Sequence, residues 1–309
     1  MKILHFISEN QTGSFPLGTP GRFTDLLEAL RKDGHDNTIL IPEIPVLQAA
    51  LERKEIPFIS MNVSFLNNIF RIGFHKKLLK RTQPDVILVY NEAAHDDNDF
   101  LSIEDNFDGP IRNVRDFYIP VVAPDPSTKK MDREETHTPP ENCVIGCFAP
   151  EKTGINNIEI LFKATEGLEK ITYWFAIEPA LSQSAQKIVS EYGLENQSRF
   201  FDVTVPRGAF YKGADIIFVP QGGIDSDMAF VEALALGRPV ISCSPHHKNY
   251  ASDQTLNIFT SRDQNKIRQE IEKLSKDEAY RTKMGEQGRQ VYEERLTPDN
   301  GLKKLLSHL

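Results

Sequence analysis

The sequence predicts an α/β protein built from two Rossmann-like domains. Three observations carry the prediction. Short apolar runs alternate with amphipathic segments, which is the pattern of a parallel sheet covered by helices. The alternation restarts after a proline-rich stretch near the middle. The length, 309 residues, suits two domains of about 150 each. Hydrophobic residues make up 39% and charged residues 26%, enough apolar material for two cores and too much for a disordered chain.

Taken in order, Ile3 to Ile7 is a short apolar run read as a first, buried strand. A Gly-, Ser-, Thr- and Pro-rich loop follows from Asn10 to Gly21. Phe23 to Leu30 has apolar residues at helical spacing, and Gly34 closes that helix. Thr38 to Ile41 reads as a strand, Val46 to Arg53 as a helix, and Phe58 to Val63 as a third strand. His75 to Arg81 is a basic amphipathic helix, and Pro84-Asp85 breaks into the strand Val86 to Tyr90. From Asn91 to Gly109 the chain turns acidic and polar. Prolines and charges between Pro120 and Glu141 place the domain boundary there.

The second series opens with Val144 to Phe148, a helix around Ile158 to Ala164, and Thr172 to Ala176. Ser182 to Tyr192 is helical, and Arg199 to Val203 and Asp215 to Val219 are strands. The helix Asp227 to Leu236 is stopped by Gly237 and Pro239. Val240 to Cys243 is another strand, and the last ~50 residues are helical with dense charge. The expected division is 1–122, a linker over 123–140, a second domain over 141–296, and a helix over 297–309 that packs back on the first domain. In open α/β sheets a ligand sits beyond the carboxyl ends of the strands, so two such domains place it in a central cleft.

Lys and Arg total 36 against 44 Asp and Glu, a formal charge of −8, which argues against a nucleic-acid partner. Three cysteines form no disulfide framework, and Cys143 and Cys147 read as buried free thiols rather than metal ligands. The start of the chain turns polar too early for a signal peptide, and no apolar run reaches the ~18 residues of a membrane span. A cytoplasmic, soluble protein is expected. Lys76, Lys77, Lys80 and Arg81 make a basic helical face, read as solvated, so membrane contact is peripheral at most.

Two segments carry a family resemblance. Gly213 to Pro220 followed by Val231 to Ile241 resembles the strand–Pro–loop–helix around the donor of retaining GT-B glycosyltransferases of the family-4 type. Ile145-Gly146-Cys147-Phe148-Ala149-Pro150-Glu151-Lys152 is similar to the opening of that family's donor domain. The resemblance implies a GT-B fold and a hexosyltransferase-type activity. A sugar would pass from a nucleotide-sugar donor to a glycan, lipid-linked or small-molecule acceptor, with retention, without a metal and without a cofactor. It implies donor-binding roles for Lys152 on the diphosphate, Glu232 on the ribose, and the 223–229 loop, through Gly223, Ile224, Asp227, Met228 and Ala229, on the sugar. On the acceptor side it points to Arg115, followed by Asp116, as catalytic candidates; His95, past the strand ending at Tyr90, is either a surface histidine or a cleft base, and Gly13, with Gly18 and Gly21, resembles a backbone cradle for the acceptor. Whether the chain forms an oligomer is left open.

The departures from the family pattern are specific. Ile224 stands where the family has its first glutamate, Cys147 where it has an arginine beside the lysine, and Arg115 where it has a histidine. These losses keep a second reading in play, a non-catalytic GT-B scaffold or partner subunit with a decayed donor site, and a third, an epimerase of the same fold. Asp225-Ser226-Asp227 fits either a metal-binding DxD or, preferably, an N-cap. Asp96 to Asp99 reads as an acidic solvated loop. His246-His247 reads by default as an exposed loop pair. Glu232 stands out, because a lone carboxylate among Met228, Phe230, Val231 and Leu234 is costly to bury without a partner.

Overall fold

The computed structural model describes residues 1–7, 20–42, 44–61, 76–90, 107–114, 123–149, 155, 157–220, 224–244, 247–248, 257–259 and 263–307. The chain divides into two compact units, one of Met1–Pro120 with Gly301–Leu309, the other of Val121–Asn300.

The first unit holds a five-stranded parallel sheet of β1 (Lys2–Phe6), β2 (Asp36–Pro42), β3 (Ile59–Met61), β4 (Val86–Val89) and β5 (Ile111–Asn113). The strand order is β3-β2-β1-β4-β5, so the direction of winding reverses between β1 and β4. Helices α1 (Pro20–Lys32) and α2 (Pro45–Arg53) connect the first strands, and residues 76–82 are helical ahead of β4. Val86 to Val89 are all buried, as strands sandwiched between helical layers require. On the 76–82 helix Leu78 and Leu79 are buried while Lys76, Lys77, Lys80 and Arg81 are exposed.

The second unit repeats the same winding with six parallel strands. They are β6 (Cys143–Phe148), β7 (Ile171–Ile177), β8 (Ser198–Asp202), β9 (Ile216–Val219), β10 (Val240–Ser242) and β11 (Asn257–Ile258). Their order is β11-β10-β9-β6-β7-β8, which puts the reversal between β6 and β9. β6 and β7 are buried along their whole length. Between the strands run α3 (Glu159–Thr165), α4 (Ser182–Glu191), α5 (Arg207–Gly213) and α6 (Ile224–Ala235), followed by α7 (Gln264–Lys276) and α8 (Glu278–Val291). All three cysteines are free and buried, and burial raises the Cys143 and Cys243 thiols to about 12. The last helix, α9 (Pro298–Leu306), carries Leu305 into the core of the first unit beside Leu302 and Leu306.

The short strands β5 and β11, the helix α5 and the stretch over 123–140 all escape the sequence pattern. α5 is a seven-residue helix with two glycines, too short and too weakly periodic to announce itself. The segment read as a linker is instead fastened to the second unit. Arg133 donates to Asp215 Oδ2 at 2.6 Å and to Asn142 O at 2.9 Å, the Met131 amide donates to Ala209 O at 3.1 Å, and the Trp174 indole N–H donates to Thr138 Oγ1 at 3.0 Å. Prolines and charges make such a strap look like a spacer, because its order comes from long-range hydrogen bonds rather than periodicity.

The stop after α6 shows what the glycines do. Gly237 has φ +64°, a left-handed conformation that closes the helix. Gly285 of α8 meets that turn so closely that an added Cβ would lie 2.0 Å from Gly237 O. The contact lets Arg289, one turn further along α8, donate to Ala235 O at the end of α6.

Candidate functional site

The reversal point between β6 and β9 is the crevice where a doubly wound sheet takes its ligand. Phe148 ends β6 there, and α6 begins a few residues after β9 ends. Glu232 lies in the third turn of α6, and its side chain is only 2% exposed. Its partners come from α5. Arg207 places Nε 2.8 Å from Glu232 Oε2, and the Tyr211 hydroxyl donates to the same oxygen at 3.1 Å. Position 207 opens α5 and position 211 follows four residues later, so one helical face delivers both groups. Burial holds the Tyr211 phenol well above its usual range, with Arg207 pulling it back, so the hydroxyl stays protonated and donates.

Arg207 has a third contact. Its guanidinium carbon sits 4.1 Å from the centroid of the Phe148 ring, a cation–π stack. The arginine is the outer member of the cluster, 25% exposed against 2% for the carboxylate. A buried carboxylate is thus held by an arginine whose Nε and Nη2 are buried with it.

A second cluster braces the start of α6. Asp227 Oδ1 lies 2.9 Å from His247 Nε2, and His247 Nδ1 lies 2.6 Å from Ser242 Oγ. All three residues are fully buried, and the His247 ring stacks on Phe230 at 4.0 Å. The connectivity is that of a serine–histidine–aspartate relay. Ser242 Oγ, however, is sealed from solvent and accepts the Ser244 amide at 3.1 Å, so the trio acts as a brace and not as a nucleophile.

The first unit has a cluster at its own reversal point. His5 of β1 is fully buried, with Nδ1 2.6 Å from the Tyr90 hydroxyl and Nε2 2.8 Å from Asn37 Oδ1. Asn37 Nδ2 donates to His35 O, which turns Oδ1 toward His5 as an acceptor. His5 therefore carries its proton on Nε2 and accepts the Tyr90 proton on Nδ1. Burial lowers its pKa to about 4, against the pull of Asn37, so the ring is neutral at pH 7.

The sequence-derived candidates fare unevenly. Asp227, Met228, Ala229 and Glu232 come together on α6, all buried. Ile224 also belongs to that helix, which starts there and not near Ser226. Residues 224–229 are thus a helical turn instead of a loop. Acidic residues at the first turn favour the early start, and Ser226 lies inside the helix, not at its N-cap. His247 is a buried brace where an exposed loop residue was expected. Gly13, His95, Arg115, Asp116, Lys152 and Gly223 lie outside the described residues, as do Asp96 to Asp99, His246 and the side chains of Ile224 and Asp225. Among the described residues no group of three or more His, Cys, Asp or Glu could hold a metal ion. Arg207 and Tyr211 were missed altogether. The unexplained carboxylate at Glu232 was the one signal that could have prompted a search for them.

The two doubly wound units have the architecture of the GT-B glycosyltransferases. Among solved structures, a glycosyltransferase from Rickettsia africae ESF-5 matches with a TM-score of 0.70 at 13% identity, over 99% of this chain and 97% of that one. Anabaena Alr3699/HepE in complex with UDP and glucose matches at 0.65 and 13% identity over 100% of both chains. Sucrose-phosphate synthase from Thermosynechococcus elongatus matches at 0.64 and 14% identity, over 100% of this chain and 98% of that one. No protein-family model and no curated protein matches the sequence. No described helix is long and apolar enough to cross a membrane.

Proposed function

We propose that the protein is a hexosyltransferase-type glycosyltransferase that takes a sugar from a nucleotide-sugar donor and passes it to a glycan, lipid-linked or small-molecule acceptor. The observation that carries this reading is Glu232. A carboxylate kept buried and ion-paired beside the reversal point of the second sheet is expensive structurally, and a ribose-binding role accounts for its position. The likeness in fold to a protein crystallised with UDP and glucose supports the same choice.

In this reading Glu232 accepts hydrogen bonds from the ribose hydroxyls, and Lys152 meets the diphosphate. Gly223, Ile224, Asp227, Met228 and Ala229 form the donor wall, Asp227 and Met228 by shaping the helix start from within. His95, Arg115 and Asp116 serve the acceptor side with Gly13. Asp227 is fully buried and bonded to His247, so its carboxylate does not face an approaching diphosphate directly. The donor contacts need neither a metal nor a cofactor, and the resemblance that suggests them implies retention of configuration. Cytoplasmic residence and at most peripheral membrane contact, through the 76–81 basic face, complete the proposal.

A non-catalytic module of the same fold is the second reading, favoured by the internal bonds that Glu232 and Asp227 already make. Thermal unfolding against UDP, GDP, ADP, CMP and their sugar conjugates separates the two. Saturation at about 100 times the dissociation constant adds ~2.7 kcal/mol. Stabilisation by one nucleotide, abolished in Glu232→Gln, supports the transferase. Absence of any shift in folded protein selects the module.

A further inference from the structure

The second unit holds a polar cavity of about 500 Å³ at the end of its sheet opposite the candidate donor site. Asp215 and Pro239, which line it, immediately precede β9 and β10, so it lies at the amino ends of strands whose carboxyl ends face the crevice. The turn that stops α6 forms one wall. A single face of α8 forms the other, because positions 278, 282, 286 and 289 recur every three or four residues. Arg238, in that turn, is the unusual member. Its Nη2 donates to Lys212 O at 2.9 Å, but its Nε is buried and has no hydrogen-bond partner. Burial lowers its pKa against the pull of Asp215, so the cation is held where water solvates it poorly. A buried donor on a charged group is costly unless an acceptor meets it.

We propose that this cavity is a second ligand site, which takes a small dipolar molecule of the amino-acid class, with a carboxylate at one end and an ammonium at the other. The charges of the wall carry the choice. Asp215 is already bonded to Arg133 at 2.6 Å and to the Val144 amide at 2.8 Å, and Arg289 to Glu293 at 2.6 Å. What remains is balanced, Arg238 and Arg281 against Glu278 and Glu286. Those two glutamates are exposed and make no ion pair among the described residues. Arg281 gives Nη1 to Leu274 O and Ser275 O, which leaves Arg238 Nε as the buried donor in need of an acceptor. A carboxylate meets it in a charge-assisted hydrogen bond. Glu278 and Glu286 lie eight residues apart, about 12 Å along α8, and receive the ammonium on the open side. The same two carboxylates oppose a free phosphate, whose charge has no ammonium to offset it. The assignment concerns the far end of the sheet and does not depend on the donor reading.

Calorimetric titration of glycine, 4-aminobutyrate and 6-aminohexanoate, beside hexanoate and inorganic phosphate, tests the assignment. The series varies the distance between the two charges, and both controls lack the ammonium. At least one amino acid is expected to bind about tenfold more tightly than either control. Arg238→Gln should weaken that binding by about tenfold or more, and so should at least one of Glu278→Gln and Glu286→Gln. Arg238→Gln takes a donor from Lys212 O and can fail to fold; the two glutamates are exposed, so their variants keep the test alive. Hexanoate or phosphate bound as tightly as the best amino acid overturns the dipolar assignment. Absence of binding across the series, or binding unchanged in the wall variants that fold, overturns the site itself. The transferase reading stands or falls separately, on the nucleotide titration above.

Discussion

The two units wind their sheets in the same order and reverse direction at equivalent places, β1/β4 in the first and β6/β9 in the second. They fill those places with opposite chemistry. The first unit puts a neutral trio there, a buried His5 with both ring nitrogens bonded, one to the buried Tyr90 and one to the half-buried Asn37. The second puts an ion pair there, Arg207 on Glu232, with the guanidinium Nε and Nη2 buried beside the carboxylate. Identical topology therefore does not dictate what a reversal point is for, and the choice of side chains does. A neutral, self-satisfied cluster costs little to bury and specifies a core. A buried carboxylate with a charged partner costs more.

The largest effect expected from breaking this contrast is at Glu232. Glu232→Ala removes the anion and leaves a half-buried arginine over Phe148, which should cost about 3 kcal/mol in denaturant unfolding, with Glu232→Gln costing less. Gly285→Ala should come next to it. Its Cβ would lie 2.0 Å from Gly237 O, and forcing α8 away from the α6 stop should cost about 2–3 kcal/mol. Because both sites lie in the second unit, probes placed in the first should report little change in either variant.

The first unit's neutral cluster predicts a pH dependence instead. The folded pKa of His5 is about 4, below the ordinary histidine value of 6.5, so the unfolded chain binds the extra proton between those values. Stability is then complete above pH 6.5 and falls as pH drops toward 4, by about 3 kcal/mol in total. His5→Gln should flatten that part of the stability–pH curve. A curve identical in wild type and variant would show that the ring is not held neutral by its burial. At the bottom of the scale, Lys163→Ala breaks an exposed pair with Glu159 and should leave unfolding unchanged within error.

Much of this architecture is legible in the sequence, and the failures have physical causes. Val86 to Val89 and Cys143 to Phe148 are recognisable because strands buried on both faces are continuously apolar. Glu232 is conspicuous as the carboxylate in an apolar helix. Its partner is not, because Arg207 sits in a short glycine-containing helix with no periodic signal, and ion pairing across elements leaves no local trace. His247 misleads for the same reason. Beside Ser244 and Pro245 it has the composition of an exposed loop, and only the fold reveals Asp227 and Ser242 on either side of its ring.

The placement of α9 bears on how the chain is made. Leu305, with Leu302 and Leu306 beside it, belongs to the core of the first unit, whose remaining core residues precede Pro120. During synthesis the amino-terminal unit must therefore wait, its sheet in hand but one wall missing, while the whole of the second unit emerges and gains the chance to fold ahead of it. The usual order, in which the domain translated first is finished first, is reversed. Until α9 arrives, a chaperone that guards exposed apolar surface would find its client in the amino-terminal unit.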